Sequence, residues 1–274
     1  MQLILRIGRI QLSHSQHTII FVSDTQFRNY LIYRRKQGQF CIVDRDEKQL
    51  AVNAAKMNPV RIDIVSDLVC PWCYIGRKRL ANALAQIPEV ETQIHWQPFE
   101  LFPLIPVNGV ERHAHMAKVF GSARRRDAVF AQVTQVGQTE GLDLRFDRIA
   151  RSPNTFLLHR LLWKAGQEGY QDTLAMVFFN AFFTENRDLT QPDQIATILA
   201  PFNWSRADLD QFLASDEGAS VVRHQQRLYR FAGVSSVPTY FFNNQLILVG
   251  AQPPDQFVQA VTRAAHQTQL PAGH

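Results

Sequence analysis

Ser66-Asp67-Leu68-Val69-Cys70-Pro71-Trp72-Cys73-Tyr74-Ile75-Gly76 is the stretch on which the fold turns. Before it, Arg61–Ser66 alternates and is rich in Ile and Val, which reads as a strand. After it, Gly76–Gln86 repeats apolar residues at Leu80, Ala83 and Leu84, with Ile87 following, at the helix period. Pro88 then ends the helix. The pair of cysteines thus sits where a strand hands over to a helix, with Cys70 at the N-cap and Pro71 at the first helical position, where a missing N–H costs nothing. Such a place aims unpaired backbone N–H groups and the positive end of the helix dipole at the Cys70 sulfur, which favours the thiolate that attacks disulfides. Cys73, one turn later on the same face, is expected further inside, able to reach back and resolve a mixed disulfide.

Outward from this motif, Thr92–Pro98 reads as a second strand and Phe99–Gly109 as a Pro-rich loop. Residues from Arg112 to about Arg230 read almost wholly as helix: Arg112–Phe120, Ala123–Glu140, Pro153–Glu168, Tyr170–Thr184, Pro192–Ala200 and Arg206–Phe231. Ser152 before Pro153 is the expected N-cap of the third, and Ser205 or Asp208 that of the last. Strand signals return at Thr239–Phe242 and Gln245–Val249, joined by Asn243-Asn244, a pair suited to positive φ in a tight turn. Pro253–Thr262 closes the chain as a helix. The order is βαβ, a helical block over about 110–231, then ββα. Without the block this is an α/β, thioredoxin-like arrangement. Val234-Ser235-Ser236-Val237-Pro238-Thr239-Tyr240 opens the second half with a proline at a turn, the usual setting of a cis peptide. A cis Val237–Pro238 bond leaves the Val237 backbone available to an extended substrate beside Cys70.

The 274 residues carry a formal net charge of +5. Residues 1–56 hold nine basic and four acidic residues, so the whole excess lies there and 57–274 is balanced. The main body therefore gives no support for a nucleic-acid partner. Arg124-Arg125-Arg126 reads as a solvated helix face. Within 1–56, Thr18–Val22 and Gln39–Val43 could form a small hairpin, but no motif is found. Residues 1–56 are expected to be a weakly ordered extension or a mis-assigned start, with the functional protein beginning near Met57; a small accessory module is the rival. No apolar run approaches the ~20 residues that span a bilayer, so no membrane partner is expected. Arg6 and Arg9 break the apolar start, which does not read as a signal peptide, and the expectation is a cytoplasmic protein. Cys41, Cys70 and Cys73 cannot make a disulfide framework, and one Cys-x-x-Cys without a second pair is not a structural zinc site, so no metal is expected.

From about Arg61 to Ala264 the chain resembles the DsbA-like thioredoxin superfamily, and within it the cytoplasmic FrnE-like branch, a relative of 2-hydroxychromene-2-carboxylate isomerases and kappa-class glutathione transferases. The resemblance rests on Asp67 through Gly76, Pro153-Asn154-Thr155-Phe156 with His159, Phe183-Thr184-Glu185-Asn186-Arg187-Asp188, Gly233 through Thr239, and Gly250-Ala251-Gln252. It implies a thioredoxin fold with an inserted helical domain, Cys70 as nucleophile, Cys73 as resolving cysteine and Pro238 as cis-proline. Leu158 departs from the alanine that often precedes the helix histidine, and 1–56 matches nothing in the family. The isomerase and transferase branches place serine at the Cys70 position, so cysteine here favours redox work.

The expected activity is thiol–disulfide oxidation, reduction or isomerisation on protein or low-molecular-weight thiols and disulfides. No bound cofactor is expected, and glutathione is a candidate co-substrate. The alternative is a glutathione-dependent isomerase or transferase acting on a small aromatic substrate, in which Cys73 is idle. A third reading is a holdase-like module using an aromatic cleft. Pro71, Trp72, Val237 and Pro238 are the candidate substrate contacts, with Tyr74 as a further part of an apolar rim. Asp67 is a possible modulator of the thiols or a turn cap. His159 reads more readily as a satisfied core histidine than as a catalytic one. Phe178, Phe179, Phe182 and Phe183 form a stripe expected to be core.

Overall fold

A computed structural model describes residues 58–267 and, before them, the backbone of four strands. By contacts the chain divides into two compact units, Met1–Met57 and Asn58–His274. In the first, β1 (Arg6–Ile10), β2 (Ile19–Ser23), β3 (Asn29–Arg34) and β4 (Phe40–Asp44) form an antiparallel sheet in the order β1-β2-β3-β4. The two strands expected in this region match β2 and β4 to within a residue. They are not a hairpin, because β3 runs between them and pairs with both. The expectation of weak order in 1–56 lies, beyond these strands, outside the described residues.

The second unit is built on a four-stranded sheet, β10-β9-β5-β6. Its central strand β5 (Val60–Ser66) runs parallel to β6 (Thr92–Pro98) and antiparallel to β9 (Thr239–Phe242), which in turn pairs with β10 (Leu246–Val249). Asn243 and Asn244 both take positive φ, 51° and 56°, and make the tight β9–β10 turn that their side chains tolerate. Alternation splits the sheet into two faces. Ile62, Ile64, Tyr240 and Phe242 face α1 (Pro71–Leu84) and the closing helix (Pro254–His266), where Tyr240 meets Phe257 edge-on at 4.8 Å. On the opposite face Val65 joins Phe99 and Val234 in a small core against Tyr229.

Between β6 and β9 lie β7 (Val110–Glu111), α2 (Arg112–Val119), α3 (Ala123–Thr139), β8 (Arg151–Ser152), α4 (Phe156–Glu168), α5 (Gln171–Phe183), α6 (Pro192–Leu199), α7 (Arg206–Ala214) and α8 (Ala219–Phe231); the closing helix is α9. Phe178, Phe179, Phe182 and Phe183 on α5 are all fully buried, as core.

Two expectations fail here, each for a tertiary reason. Ser152 is not an N-cap, because Arg151 and Ser152 are drawn into a two-stranded ladder with β7. The helix starts at Phe156 with Thr155 as its N-cap, and Asn154 braces that start: its side-chain oxygen accepts from Phe156 N at 2.9 Å and its amide donates to Ile105 O at 2.7 Å. The single helix expected over Arg206–Phe231 is two. Ser205 and Asp208 make a capping box for α7, which ends at Ala214. The Arg160 guanidinium then donates to Phe212 O, Ser215 O and Glu217 O, holding the broken turn open. Gly218 completes it at φ +74°, where a Cβ would meet Trp163 at 2.5 Å.

Candidate active site

The helix that carries the motif begins at Pro71, with Cys70 as an extended N-cap (φ −92°, ψ 111°) whose side chain caps no amide. The turn before it is closed by Cys70 N donating to Asp67 O at 3.0 Å, and the first helical turn by Cys73 N donating to Cys70 O at 3.1 Å. The Cys70 thiol donates instead across the fold to Val237 O at 3.7 Å. The Val237–Pro238 peptide is cis. No backbone hydrogen bond among the described residues uses the Val237 N–H. Five of the expected residues are thus brought together: Cys70, Pro71, Cys73, Val237 and Pro238. Pro71, Trp72 and Val237 are half-buried, while Pro238 is buried.

The two thiols differ in setting. Cys70 is 5% exposed, so only a sliver of it opens outward, less than an N-cap place suggested, and Cys73 is 0% exposed. Burial pushes the Cys73 thiol well up, reinforced by Cys70 beside it, with smaller opposing effects from the Ser66 hydroxyl and the Asp67 backbone. Burial thus favours the protonated form of the Cys73 thiol.

Tyr74 is not part of a rim. It is 6% exposed and stacks on Phe179 at 5.3 Å, tying the motif helix to the helical block. Gly76 shows why the motif ends on glycine: a Cβ there would lie 2.2 Å from the Tyr240 hydroxyl and 3.2 Å from Pro238 Cγ. Tyr240 itself was missed as a site residue, and its only signal was that glycine inside a helical pattern. Arg79 donates to Ala251 O at 2.6 Å and Gly250 N to Pro238 O at 2.8 Å, which fastens the Gly250-Ala251-Gln252 turn to both α1 and the cis-proline.

Asp67 and His159 are also brought together, although not at the sulfur of Cys70. Asp67 is wholly buried; its Oδ2 accepts from Leu101 N at 2.7 Å, fixing the loop after β6. Its Oδ1 lies 3.5 Å from His159 Nε2 on α4, and neither atom completes a hydrogen bond. His159 is thus buried with its Nε2 facing the Asp67 carboxylate.

Among the described residues no helix is long and apolar enough to cross a membrane. A family model for the DSBA-like thioredoxin domain matches residues 61–262. SCO1869 from Streptomyces coelicolor, described as a probable DsbA oxidoreductase, superposes with a TM-score of 0.71 at 28% identity, over 77% of this chain and 92% of its own. A 2-hydroxychromene-2-carboxylate isomerase shares the fold at a TM-score of 0.57 and 18% identity, over 74% of this chain and 95% of its own. YwbO of Bacillus subtilis (strain 168), an uncharacterised protein, is 23% identical over 209 residues, covering 74% of this chain and 96% of YwbO. The family match runs from the first strand of the thioredoxin order through the helical block to α9, and on that ground the chain belongs to the DSBA-like thioredoxin domain family.

Proposed function

We propose that the protein is a thiol–disulfide oxidoreductase or isomerase that cycles Cys70 and Cys73 between disulfide and dithiol. The observation that carries this reading is the contrast at one helix start: Cys70 abuts the cis Val237–Pro238 peptide, while Cys73 is sealed beneath it with its thiol held protonated by burial. Cys70 attacks a substrate disulfide and releases one substrate thiol. Cys73 then attacks the Cys70–substrate disulfide, releases the second thiol and leaves the Cys70–Cys73 disulfide. Pro71, Trp72, Val237 and Pro238 contact the substrate, with the free Val237 N–H available to an extended chain. A low-molecular-weight thiol such as glutathione recycles the disulfide. With one redox pair and no disulfide framework, the fold makes no demand for an oxidising compartment, which supports a cytoplasmic setting.

The test is reduction of insulin disulfides and reactivation of a scrambled disulfide protein by the full chain in a glutathione buffer. The reading expects activity in both assays, lost in Cys70→Ser. Inactivity in both, combined with glutathione-dependent isomerisation of a small aromatic substrate that survives Cys73→Ser, would contradict it.

A further inference from the structure

Residues 218–254 contain no Asp or Glu, although 57–274 as a whole is balanced in charge. The Lys and Arg residues of this stretch are Arg223, Arg227 and Arg230, all on α8 and all exposed. Spaced four and three apart, they lie side by side on one helix flank, where like charges repel. The ion pairs of the helices around them use other cations, Arg77, Arg79, Lys164 and Arg206. Among the described residues no ion pair neutralises the three arginines. Glu217, just before α8, is held by Lys164, and the Glu100 carboxylate accepts from Gln226. Beside the basic flank runs an apolar one: Val221, Leu228 and Phe231 are 38%, 51% and 93% exposed.

Two of the arginines are fixed by rings. Arg223 lies over Phe156 at 4.5 Å and Arg230 over Phe99 at 4.2 Å, and Arg230 also donates to Glu100 O at 2.7 Å. These contacts orient the guanidinium groups without cancelling their charge. Tyr229, in the same last turn of α8, packs with Val237 against the Val65, Phe99 and Val234 cluster. Both flanks therefore end beside the cis-proline loop on which the Cys70 thiol rests. From Arg223 to Phe231 the helix rises about 12 Å, at ~1.5 Å per residue. An extended chain covers that length in about four residues. Glutathione has one residue on either side of its cysteine, so only a polypeptide engaged at Cys70 reaches along α8. A lipid surface fits less well, because α8 already spends the Val222 and Gln226 side on the protein interior and adds three apolar side chains outside.

We propose that the exposed flanks of α8 are a docking surface for acidic polypeptide clients. The client disulfide reaches Cys70, acidic residues beyond it meet Arg223, Arg227 and Arg230, and an apolar residue covers Leu228 and Phe231. The inference rests on the dithiol cycle above and names the class of client that enters it. The bonds made and broken at Cys70 are those of that cycle. The arginines act chiefly before contact, by drawing a negative chain toward the thiol and so raising the rate of the first attack. The same charge repels a basic client, which makes the surface selective as well as attractive.

The experiment measures the second-order rate at which the reduced full-length protein consumes three peptides that share one disulfide loop. Beyond the loop, the first carries Asp, Glu and Leu, the second Lys, Arg and Leu, and the third Asp, Glu and Ser. Wild type should favour the first over the second by about tenfold at ~0.01 M salt, the low end of electrostatic steering. That preference should fall below about twofold at ~1 M salt, where the Debye length is ~3 Å. Arg223→Glu/Arg227→Glu should reverse it, and Arg227→Glu alone should weaken it with the Phe156 contact intact. The first peptide should also outrun the third in wild type and match it in Phe231→Ser. Each preference is a ratio taken within one protein, so a general loss of activity cancels. Equal rates for the acidic and basic peptides in wild type, or an unchanged preference in both charge variants, overturn the proposal. Equal rates together with salt-sensitive sedimentation on phosphatidylserine vesicles would give the surface to a membrane instead. Failure of the dithiol reading is separately visible as wild type that consumes neither these peptides nor oxidised glutathione.

Discussion

The sheet layer and the helical block hold the site in different ways. In the sheet layer, backbone does the placing: a strand end, a helix start and a cis peptide fix Cys70 against Val237 O, with Asp67 O and Cys70 O closing the turns between. In the block, side chains do it. The α5 phenylalanines seat Tyr74, Arg160 props the turn between α7 and α8, and Asn154 ties α4 to the Pro-rich loop. The difference teaches that the block is more than a cover. It grips the motif helix through the stacked Tyr74 ring and through the Arg77–Asp172 and Arg79–Glu140 ion pairs, and presents His159 to Asp67 behind it.

The largest way to break this comparison is Phe179→Ala. Phe179 is fully buried against Tyr74 and Trp96, so its removal should cost about 3–5 kcal/mol in urea unfolding. It should also slow disulfide exchange in the folded protein by loosening α1. Unchanged exchange at equal folded fraction would show that the block merely adds mass. Gly76→Ala comes next. Its methyl group must displace the Tyr240 hydroxyl and crowd Pro238, an overpacking cost of about 1–3 kcal/mol read in the same unfolding assay. A neutral result would mean that Tyr240 gives way freely.

The legibility of the two regions follows the same division. The β5, α1, β6, β9 and β10 elements were readable because their signals are local: alternation, a proline at a helix start, an Asn-Asn turn. The helical character of 112–230 was equally readable from periodicity. Its breaks were not, because Ser152 yields to a distant ladder partner and the α7–α8 turn is held open by Arg160, more than fifty residues away. At the site, both cysteines and the cis-proline stand out in sequence. The contact between Asp67 and His159 does not, since no local spacing relates a strand end to a helix 92 residues on.

A third and smaller effect reads the enclosure of Cys73 through pH. The folded state raises the Cys73 pKa, so the proton it retains stabilises the reduced protein fully below the unfolded value of about 8.5, and that contribution is lost as pH rises toward the folded value. Relative to Cys73→Ser, reduced wild type should lose about 1.4 kcal/mol per pH unit above about pH 8.5. A flat difference would place Cys73 in water. The smallest effect is expected from removing residues 1–57. The sheet of the second unit pairs within itself, so a chain starting at Asn58 should keep its thermal midpoint within about 4 °C, the scale of ~1 kcal/mol for a domain of this size. A larger drop would make the first unit part of the stability of the second.

The central claim is that Cys70 attacks and Cys73 resolves. It is tested most directly by exposing reduced Cys73→Ser and Cys70→Ser, each as the full chain, to oxidised glutathione and to a disulfide-bonded client, and weighing the products by intact mass and peptide mapping. Cys73→Ser should accumulate a mixed disulfide mapped to Cys70, and Cys70→Ser should accumulate none at Cys73, whose sulfur is enclosed. Equal adducts in both variants, or an adduct at Cys73 alone, would contradict the assignment.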